Sequence, residues 1–328
     1  MATIKQVARL AEVSVATVSR VLNGVRVSDA NHASVVGAIE QLDYRPNAFA
    51  RSLATNRSGG VGVVVNEISS PYYSGIVQGI ESVVEEHGMH LIVSSSHAKA
   101  DRERNAVEFL RERRCEALIL MSEALSDAEL LRLARHETPT VLVGRSIDDL
   151  AENCVHIDNV LGGYTATHHL ISRGHSRIAH VTGNLAIKDA RDRLVGYHRA
   201  LADAGIGTTP ELVVEGDFTE AGGRHAIRML LERGESFSAV FAANDQTAAG
   251  VLLTLRENGL SCPDDVSIVG YDDVLLANYL YPALTTVRQP FVEMGKAAAR
   301  LALATETKEV TRRFEPTLVP RHSVSTRA

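Results

Sequence analysis

The feature that most constrains the fold of this 328-residue chain is an alternation of short apolar runs with amphipathic segments, which begins after Gly59-Gly60. Short apolar runs bounded by turn residues are typical of buried parallel strands, and an apolar period of about 3.6 residues indicates a helix. The predicted strands are 61–65, 91–93, 117–121, 141–143, 178–181, 239–242 and 266–269. The predicted helices are 73–87, 102–113, 163–173, 191–204, 221–233 and 245–258. The sequence therefore predicts an α/β body.

The unit of strand, loop and helix occurs twice on a larger scale, which predicts two Rossmann-like α/β subdomains with a cleft between them. Ligands bind in open α/β sheets at the carboxyl ends of the strands. Among the residues expected there, Asp272 can accept sugar hydroxyls, and Asn244 can both donate and accept hydrogen bonds. Phe218 and Tyr72 offer apolar faces to the C–H side of a pyranose. The alternative for Asp272 is a structural turn that caps the next element.

Two arginines near the start of the predicted helix 191–204 are separated by one residue, so they cannot both lie on one narrow helical face. One of Arg191 and Arg193 is therefore expected to bind a ligand and the other to anchor the loop. The alternative for Arg193 is an internal salt bridge with Asp192 or Asp245. Gln289 is expected at a crossing between the two halves.

Residues 1–58 are predicted to form a separate all-α head. Apolar residues recur there at helical spacing in three successive segments. Thr3 and Gln6 predict a capping box, Ser14 is a good N-cap for the second helix, and the third helix is expected over 31–42. Two short helices joined by a tight turn and braced by a third form a helix-turn-helix.

The second helix of the head carries side chains that suit a DNA major groove. Val15 and Ala16 are small enough to let the helix tip approach base edges, and Arg20 can reach a guanine edge. Hydroxyl and amide groups for phosphate contacts come from Ser14, Thr17, Ser19 and Asn23. The alternative is a three-helix packing module that binds no nucleic acid.

The distribution of charge favours two different partners. The chain has a formal net charge of −6, but residues 1–58 carry seven basic and four acidic side chains, a net of +3. The other 270 residues therefore carry −9. A small basic head on an acidic body is expected to bind DNA with the head, while the body gains nothing from attracting phosphates.

Several other classes of protein are excluded by the sequence patterns. No apolar run reaches the roughly 18–20 residues of a membrane span, and the N-terminus lacks the apolar stretch of a secretory signal, so a cytoplasmic protein without membrane contact is expected. Three separated cysteines without CxxC spacing predict neither a disulfide framework nor a thiolate metal site. Without a dinucleotide fingerprint, a P-loop or HExxH spacing, we expect no cofactor, no metal and no catalytic residues.

Residues 3–23 and the segment Asp43-Tyr-Arg-Pro-Asn-Ala48 resemble the head of the lactose-repressor (LacI/GalR) family of bacterial regulators. The resemblance implies a hinge helix that folds when two copies pack in the minor groove, with Leu53 wedged between central base pairs. Thr3, Asn47 and Ala50 are further candidates for DNA contact. The alternative for the hinge is a linker with one incidental leucine.

The head departs from the family pattern at two places. Glu12 stands at the turn where the family usually has glycine, so a non-glycine residue is expected to adopt a positive φ. The third helix starts with Asn31-His32-Ala33-Ser34 instead of basic residues. Fewer phosphate contacts are therefore expected, which lowers affinity more than sequence preference.

The resemblance continues through the body, in Ser70-Pro71-Tyr72-Tyr73 and in residues 192–197, 244–246, 269–273, 282–289 and 318–323. It implies a periplasmic-binding-protein-like body. The positions that match the family's effector pocket are Tyr72, Tyr73, Arg145, Arg191, Arg193, Phe218, Asn244, Asp272 and Gln289. For Arg145, a surface pair with Asp148 is an equal alternative.

The predicted organisation is a helix-turn-helix DNA-binding domain over 1–45, a hinge helix and linker over 46–59, and an effector-binding domain over 60–328. One subdomain of the body is expected at about 60–157 and 289–318, and the other at about 158–288 and 319–328. The sequence ends without a leucine heptad, so a homodimer is expected rather than the four-chain assembly of the lactose repressor itself.

These expectations predict a homodimeric, bacterial repressor of a sugar-catabolism operon, released from a near-palindromic operator when a sugar closes the cleft. Residues 114–118 and 316–325 are most similar to the galactose-repressor branch, so a galactose-like sugar is the leading effector. Arg191 departs from that branch, where an acidic residue is expected. The alternatives are another sugar, a phosphosugar, a nucleoside or a co-repressor and, more remotely, a sugar-binding protein without DNA or an enzyme.

Overall fold

The structure is a computed structural model that describes residues 2–22, 24–44, 58–304 and 310–327. Its contacts divide the chain into two compact units, Met1–Gly59 and Gly60–Ala328. The hinge helix expected within 46–59 lies outside the described residues, apart from the last two positions of that range.

The described part of the first unit contains three helices, α1 (Ile4–Leu10), α2 (Val15–Leu22) and α3 (Asp29–Gln41). Each helix contributes one fully buried valine to a small shared core, and these are Val7, Val18 and Val35. Burial of three branched side chains in one cluster fixes the helices against each other. The predicted helix-turn-helix is therefore present.

Local capping sets where the helices of the first unit begin. The Thr3 N–H donates to Gln6 Oε1 at 2.8 Å and the Gln6 N–H donates to Thr3 Oγ1 at 3.4 Å, so the predicted capping box is confirmed. The third helix begins two residues earlier than predicted, because Ser28 Oγ accepts the N–H of Asn31 at 3.4 Å and serves as its N-cap.

The turn between α1 and α2 is tight and carries a strained residue. Glu12 has a φ of 52°, the left-handed region that favours glycine. The Val13 N–H donates to Ala8 O at 3.0 Å across this turn, which ties the chain back onto α1. The predicted positive φ at a non-glycine position is thus confirmed, at a cost of about 1 kcal/mol.

The second unit consists of two α/β subdomains. The sheet of the first subdomain is parallel and has the order β11-β5-β4-β3-β1-β2. Its strands are β1 (Gly60–Val65), β2 (His90–Ser95), β3 (Ala117–Leu120), β4 (Thr140–Val143), β5 (Cys154–Ile157) and β11 (Arg313–Phe314). One face is covered by α4 (Pro71–Glu86) and α12 (Phe291–Ala302), and the other by α5 (Ala100–Glu112) and α6 (Asp127–Ala134).

The sheet of the second subdomain has the order β12-β10-β9-β8-β6-β7, parallel except where β12 runs antiparallel to β10. Its strands are β6 (Ile178–Val181), β7 (Val213–Val214), β8 (Ala239–Ala242), β9 (Ser267–Asp272), β10 (Thr285–Arg288) and β12 (Thr317–Val319). One face packs against α7 (Asn159–Ser172) and α8 (Lys188–Asp203), and the other against α9 (Glu220–Glu232), α10 (Asp245–Glu257) and the short α11 (Leu276–Tyr279).

The chain passes between the two sheets three times within the described residues: after β5, after β10 and after β11. We expected the last change of subdomain between residues 318 and 319. Strand β12 already begins at Thr317, because its backbone pairs with β10 in the register Arg288↔Thr317. The change therefore falls in the two residues 315 and 316.

The seven predicted strands are all present; those over 178–181 and 239–242 have the predicted ends, and the other five have shifted ends. The largest shift is in β9, which we expected to end at residue 269 and which continues through Asp272, because it pairs with β10 in the register Arg288↔Asp272. Asp272 is thus the last residue of a strand and does not follow it. The strands that the pattern missed are short or near the C-terminus, namely β5, β7, β10, β11 and β12.

Within the described residues, no helix combines the length and apolarity that a membrane crossing requires. The same residues contain no group of three or more His, Cys, Asp or Glu side chains arranged to hold a metal ion. Cys115, Cys154 and Cys262, all within the described residues, form no disulfide bond.

Candidate functional site

A cavity of about 570 Å³ lies between the two subdomains, at the carboxyl ends of their strands. Ligand sites for small molecules commonly have this size and position. The first subdomain lines it with Asn66, Glu67, Ser69, Ser70, Tyr72, Tyr73, His97, Ala98 and Glu123. The second lines it with Asn184, Ile187, Asp189, Arg193, Asp217, Phe218, Thr219, Glu220, Asn244, Gln246 and Asp272. Six of the nine predicted effector residues are among them.

Arg193 contributes a guanidinium group to the cavity wall, and the residue is only 3 % exposed. Its Nε donates to Asn159 Oδ1 at 2.9 Å and its Nη1 to Ala243 O at 2.6 Å. The guanidinium carbon lies 3.8 Å from the ring centroid of Tyr271 and 5.6 Å from that of Phe218. These contacts fix the planar guanidinium group at the cavity wall.

The salt bridge considered for Arg193 does not form. Asp192 pairs with Lys188 one helical turn earlier. Asp245 is fully buried and accepts the Thr286 hydroxyl at 2.6 Å and the Val274 N–H at 2.9 Å. Both carboxylates therefore have other partners, and Arg193 is held by neutral groups and by aromatic faces.

Asp272 occupies the end of β9 with a φ of 106°, a conformation that is strained for a residue with a side chain. Its Oδ1 accepts a hydrogen bond from Gln289 Nε2 at 2.7 Å. Burial raises the pKa of this carboxyl to about 6, while the positive charge of Arg193 and the bond from Gln289 oppose the rise. Asp272 is therefore a hydrogen-bond acceptor whose charge depends on pH near neutrality.

Gln289 does not itself line the cavity. It is 3 % exposed and lies behind Asp272, and among the described residues its Oε1 has no hydrogen-bond partner. The structure thus places Gln289 at the crossing after β10, as expected, but in contact with the binding residue and not with the open space.

Asn244 joins a helix start to a cavity loop. Its Oδ1 accepts the Thr247 N–H at 2.8 Å, which caps α10, and its Nδ2 donates to Phe218 O at 3.0 Å. Phe218 has a φ of 67°, and its ring packs so closely on Gly183 that a Cβ there would lie 2.1 Å from the ring. The amide and the glycine together hold the Phe218 ring at the cavity wall.

Tyr72 and Tyr73 lie in the first turn of α4 and form part of the cavity wall on the side of the first subdomain. Their rings meet edge to face at 4.9 Å, and Tyr72 packs in the same way on Phe291 at 5.3 Å. The Tyr73 hydroxyl donates to Glu123 Oε1 at 2.7 Å and accepts from Asn66 Nδ2 at 2.8 Å. Burial raises the pKa of both phenols, so both are neutral and offer apolar faces with polar tips.

Arg145 and Arg191 are not in the main cavity but line an adjacent one of about 400 Å³, together with Tyr72. Arg145 pairs with Asp127 Oδ1 at 2.5 Å and donates to Leu125 O at 2.8 Å, so the suggested pair with Asp148 is wrong. Arg191 is exposed, and its Nη1 donates to the carbonyls of residues 185 and 186 at 2.6 and 2.7 Å. Of the two neighbouring arginines, Arg193 faces the main cavity and Arg191 anchors the loop.

Sequence reasoning missed several polar cavity residues, among them one from each of three different elements. Asn66 directly follows β1, Glu123 lies in the loop after β3, and Asp189 is in the first turn of α8. Burial raises the pKa of the Asp189 carboxyl, against the opposing charge of Arg193. Each follows a strand or begins a helix, so a search for polar side chains at strand ends would have found them.

In the first unit, the predicted DNA-binding side chains of α2 lie on the side away from its core. Ser14, Ala16 and Arg20 are exposed, and Val15 is 42 % exposed despite its apolar side chain. Ser14 Oγ and Thr17 Oγ1 are hydrogen-bonded at 2.9 Å. Thr3 is exposed and engaged in its capping box, and Ser19 is partly buried. The remaining candidates, Asn23, Asn47, Ala50 and Leu53, lie outside the described residues.

Comparison with known proteins identifies both units. A model of bacterial regulatory proteins of the lacI family matches residues 3–47, and a periplasmic binding protein-like domain matches residues 167–324. The HTH-type transcriptional regulator GalR of Escherichia coli (strain K12) is 44 % identical over 331 residues, which cover 99 % of this chain and 96 % of that protein.

Solved structures agree with this similarity. The Lac repressor dimer bound to operator and the anti-inducer ONPF has a TM-score of 0.88 at 29 % identity and covers 99 % of both chains. The transcriptional regulator CelR–cellobiose complex has a TM-score of 0.73 at 34 % identity and covers 98 % of this chain and all of that one. The chain therefore belongs to the LacI family of bacterial regulators, and it is a DNA-binding transcriptional regulator and not an enzyme.

Proposed function

We propose that this protein represses a sugar-catabolism operon and leaves its operator when a galactose-like sugar binds in the cavity. The observation that carries the proposal is the composition of the cavity wall. Arg193, Asp272 and Asn244 offer donors and acceptors at one side, and the rings of Phe218 and Tyr72 offer apolar faces. Hydroxyls and C–H faces of a pyranose need this combination. The resemblance of residues 114–118 and 316–325 to the galactose-repressor branch makes galactose the first sugar to test.

The switch that we propose uses the two-sided construction of the cavity. Asn66 and Tyr73 come from the first subdomain, whereas Arg193 and Asp272 come from the second. A sugar that contacts both sides favours the arrangement in which they are closer, and only such a difference in affinity can shift the equilibrium. Closure then separates the paired hinge segments and withdraws Leu53 from the operator, which weakens binding.

We further infer that the functional form is a homodimer on a near-palindromic operator. A structure similar to this chain is a repressor dimer bound to operator. On the second subdomain, Leu275, Tyr279 and Tyr281 are 71, 76 and 85 % exposed. Three large apolar side chains within seven residues form a surface that suits a protein contact. A twofold dimer pairs two heads with two half-sites, and DNA as the partner places the protein in the bacterial cytoplasm.

The test is operator binding by the full-length protein, measured by gel shift or fluorescence anisotropy on palindromic sites from neighbouring operons. The panel contains galactose, other neutral sugars, phosphorylated sugars and nucleosides. We expect tight binding that a galactose-like sugar weakens. Tight binding that no ligand alters would reject induction and leave DNA binding in place. Binding that a ligand strengthens would indicate a co-repressor instead.

A further inference from the structure

The cavity is acidic, beyond what a neutral ligand requires. Among its lining residues, Arg193 carries the one permanent positive charge. Its guanidinium group already donates hydrogen bonds to Asn159 and Ala243 and packs against two aromatic rings. Six carboxyl side chains line the same space: Glu67, Glu123, Asp189, Asp217, Glu220 and Asp272. An ionised carboxylate only accepts hydrogen bonds, so these side chains need donors. Asp217 has one in Thr219 and Glu220 has one in Gln246.

Glu123 is the carboxylate of this set that the first subdomain holds most firmly. Its Oε1 accepts the Tyr73 hydroxyl at 2.7 Å, and that hydroxyl in turn accepts from Asn66 at 2.8 Å. The side chain as a whole is exposed to the cavity. Glu123 therefore has one oxygen bonded to the wall and further acceptor capacity for a ligand.

The loop that carries Glu123 is held in place by hydrogen bonds to a second glutamate. Glu103 of α5 is 1 % exposed, and its carboxylate accepts the Ser122 hydroxyl at 2.6 Å and the backbone N–H groups of Glu123 and Leu125, each at 3.2 Å. Bonds from several backbone donors to one buried carboxylate leave this loop little freedom. The position of Glu123 is thus built into the fold.

Asp189 of the second subdomain lines the same two cavities as Glu123. Although the Glu123 side chain is accessible from the cavity, loss of hydration inside the cleft raises the pKa of its carboxyl, and the negative charge of Asp189 adds to the rise. Like charges from opposite sides of the cleft thus act on one another through the space that a ligand would fill.

We propose that Glu123 is a specificity-determining residue of the cavity which, together with Asp189, accepts hydroxyl hydrogens from an uncharged sugar and excludes sugars that carry a phosphate group. The inference rests on the proposed function and narrows its effector to one chemical class. A phosphate monoester brings about two negative charges and oxygens that accept hydrogen bonds. Near the six carboxyl side chains of this wall it meets repulsion, whereas a hydroxyl donates a hydrogen bond to a carboxylate.

The test compares matched pairs of ligands on the full-length protein. Galactose is titrated beside galactose 6-phosphate and galactose 1-phosphate by calorimetry, and glucose and ribose beside their phosphates, at two salt concentrations. We expect each neutral sugar that binds to bind at least about tenfold more tightly than its phosphate, and added salt to narrow the gap.

The variant Glu123→Gln keeps the acceptor for Tyr73 but removes the charge. We expect this variant to reduce the ratio between the dissociation constants of the phosphorylated and the neutral sugar about tenfold. Asp189→Asn is a second variant with the same expected direction, and Glu108→Gln, an exposed site on α5 outside the cavity, is the matched control that leaves the preference unchanged.

The outcomes separate the two levels of the proposal. A phosphorylated sugar that binds the wild-type protein as tightly as its neutral partner, or a preference unchanged in both charge-removing variants, overturns the role of Glu123 and leaves a sugar-controlled repressor. Absence of binding by every sugar of the panel, neutral or phosphorylated, overturns the proposed function and this inference together.

Discussion

Gln289 donates a hydrogen bond of 2.7 Å from Nε2 to Oδ1 of Asp272, and both side chains are at least 94 % buried. Gln289 is the residue at which the chain leaves the second sheet for α12 of the first subdomain. The ligand-facing carboxylate is therefore oriented by the segment that joins the two subdomains. Contact of a ligand with Asp272 acts on that junction through one hydrogen bond.

Removal of this bond should weaken the effector response. In Gln289→Leu, Asp272 loses the donor that stabilises its ionised form, so we expect its pKa to rise and sugar affinity at pH 7 to fall about tenfold, which matches roughly 1.5 kcal/mol for a hydrogen bond to a charge. Calorimetric titration of the sugar measures the loss. Operator affinity without sugar should stay at the wild-type value; an unchanged sugar affinity would count against the orienting role.

The raised pKa of Asp272 predicts that stability falls as the pH rises. Between the usual value of 3.8 and about 6, the folded protein binds a proton that the unfolded chain has released, so this contribution is present at pH 4 and lost above pH 6. It amounts to at most about 3 kcal/mol. The free energies of unfolding of wild type and Asp272→Asn are measured between pH 4.5 and 7. Their difference isolates the contribution of Asp272 protonation, because the neutral amide does not titrate. A pH-independent difference between the two proteins would contradict the assignment.

Glu12→Gly should stabilise the head. Glycine adopts a φ of 52° without the steric penalty that a side chain pays, although it adds freedom to the unfolded chain, so we expect a net gain of about 0.5 kcal/mol. Amide hydrogen exchange of α1 and α2 in the full-length protein reports it. Glu12→Ala, which keeps a Cβ, should show no such gain, and equal protection in the two variants would argue that the turn is unstrained.

Leu53→Ala tests the hinge, which the resemblance to the family implies. If Leu53 wedges between base pairs, its loss should reduce specific operator affinity about tenfold or more and leave nonspecific affinity almost unchanged, since nonspecific binding rests on phosphate contacts. Anisotropy titrations with operator and with scrambled DNA measure both. An equal loss on the two DNAs would speak for a passive linker.

Tyr281→Ser should weaken dimerisation. Tyr281 is 85 % exposed, and truncation of an aromatic side chain at a contact surface commonly costs 1 kcal/mol or more, so we expect the dimer dissociation constant to rise about tenfold. Sedimentation of the full-length protein measures it. Phe109→Ser on α5, also an exposed aromatic position, is the control; the same dissociation constant in wild type and Tyr281→Ser would place the interface elsewhere.

The periodic parts of the fold were predictable from sequence, because long apolar runs and amphipathic helices leave a strong local signal. Strands such as Val213–Val214 and Arg313–Phe314 were not, since two residues carry no period and depend on neighbouring strands for pairing. The end of β9 was misplaced for the same reason: pairing with Arg288 extends it to Asp272.

The cavity residues likewise differ in how far they could be predicted from the sequence. Asn244 and Asp272 could be named because they stand at a helix start and a strand end, and Arg193 because it lies in a motif that resembles the family. The position of Glu123 after a strand made it findable, but its contacts were not predictable, because its partners are distant in the chain: Tyr73 is 50 residues away and Glu103 is 20 residues away. Arg191 was placed with the binding residues because sequence spacing does not show which of two nearby arginines turns back to its own loop.

The short connection between β11 and β12 limits how the two lobes can move. Phe314 ends a strand of one sheet and Thr317 begins a strand of the other. Three peptide steps span at most about 10 Å, so the two sheets are tethered there at nearly constant distance. This tether prevents the two subdomains from sliding past each other or separating widely. The motion that remains possible is a rotation about a pivot near residues 315 and 316. A ligand-induced change in the second unit is therefore a change in the angle between its two subdomains.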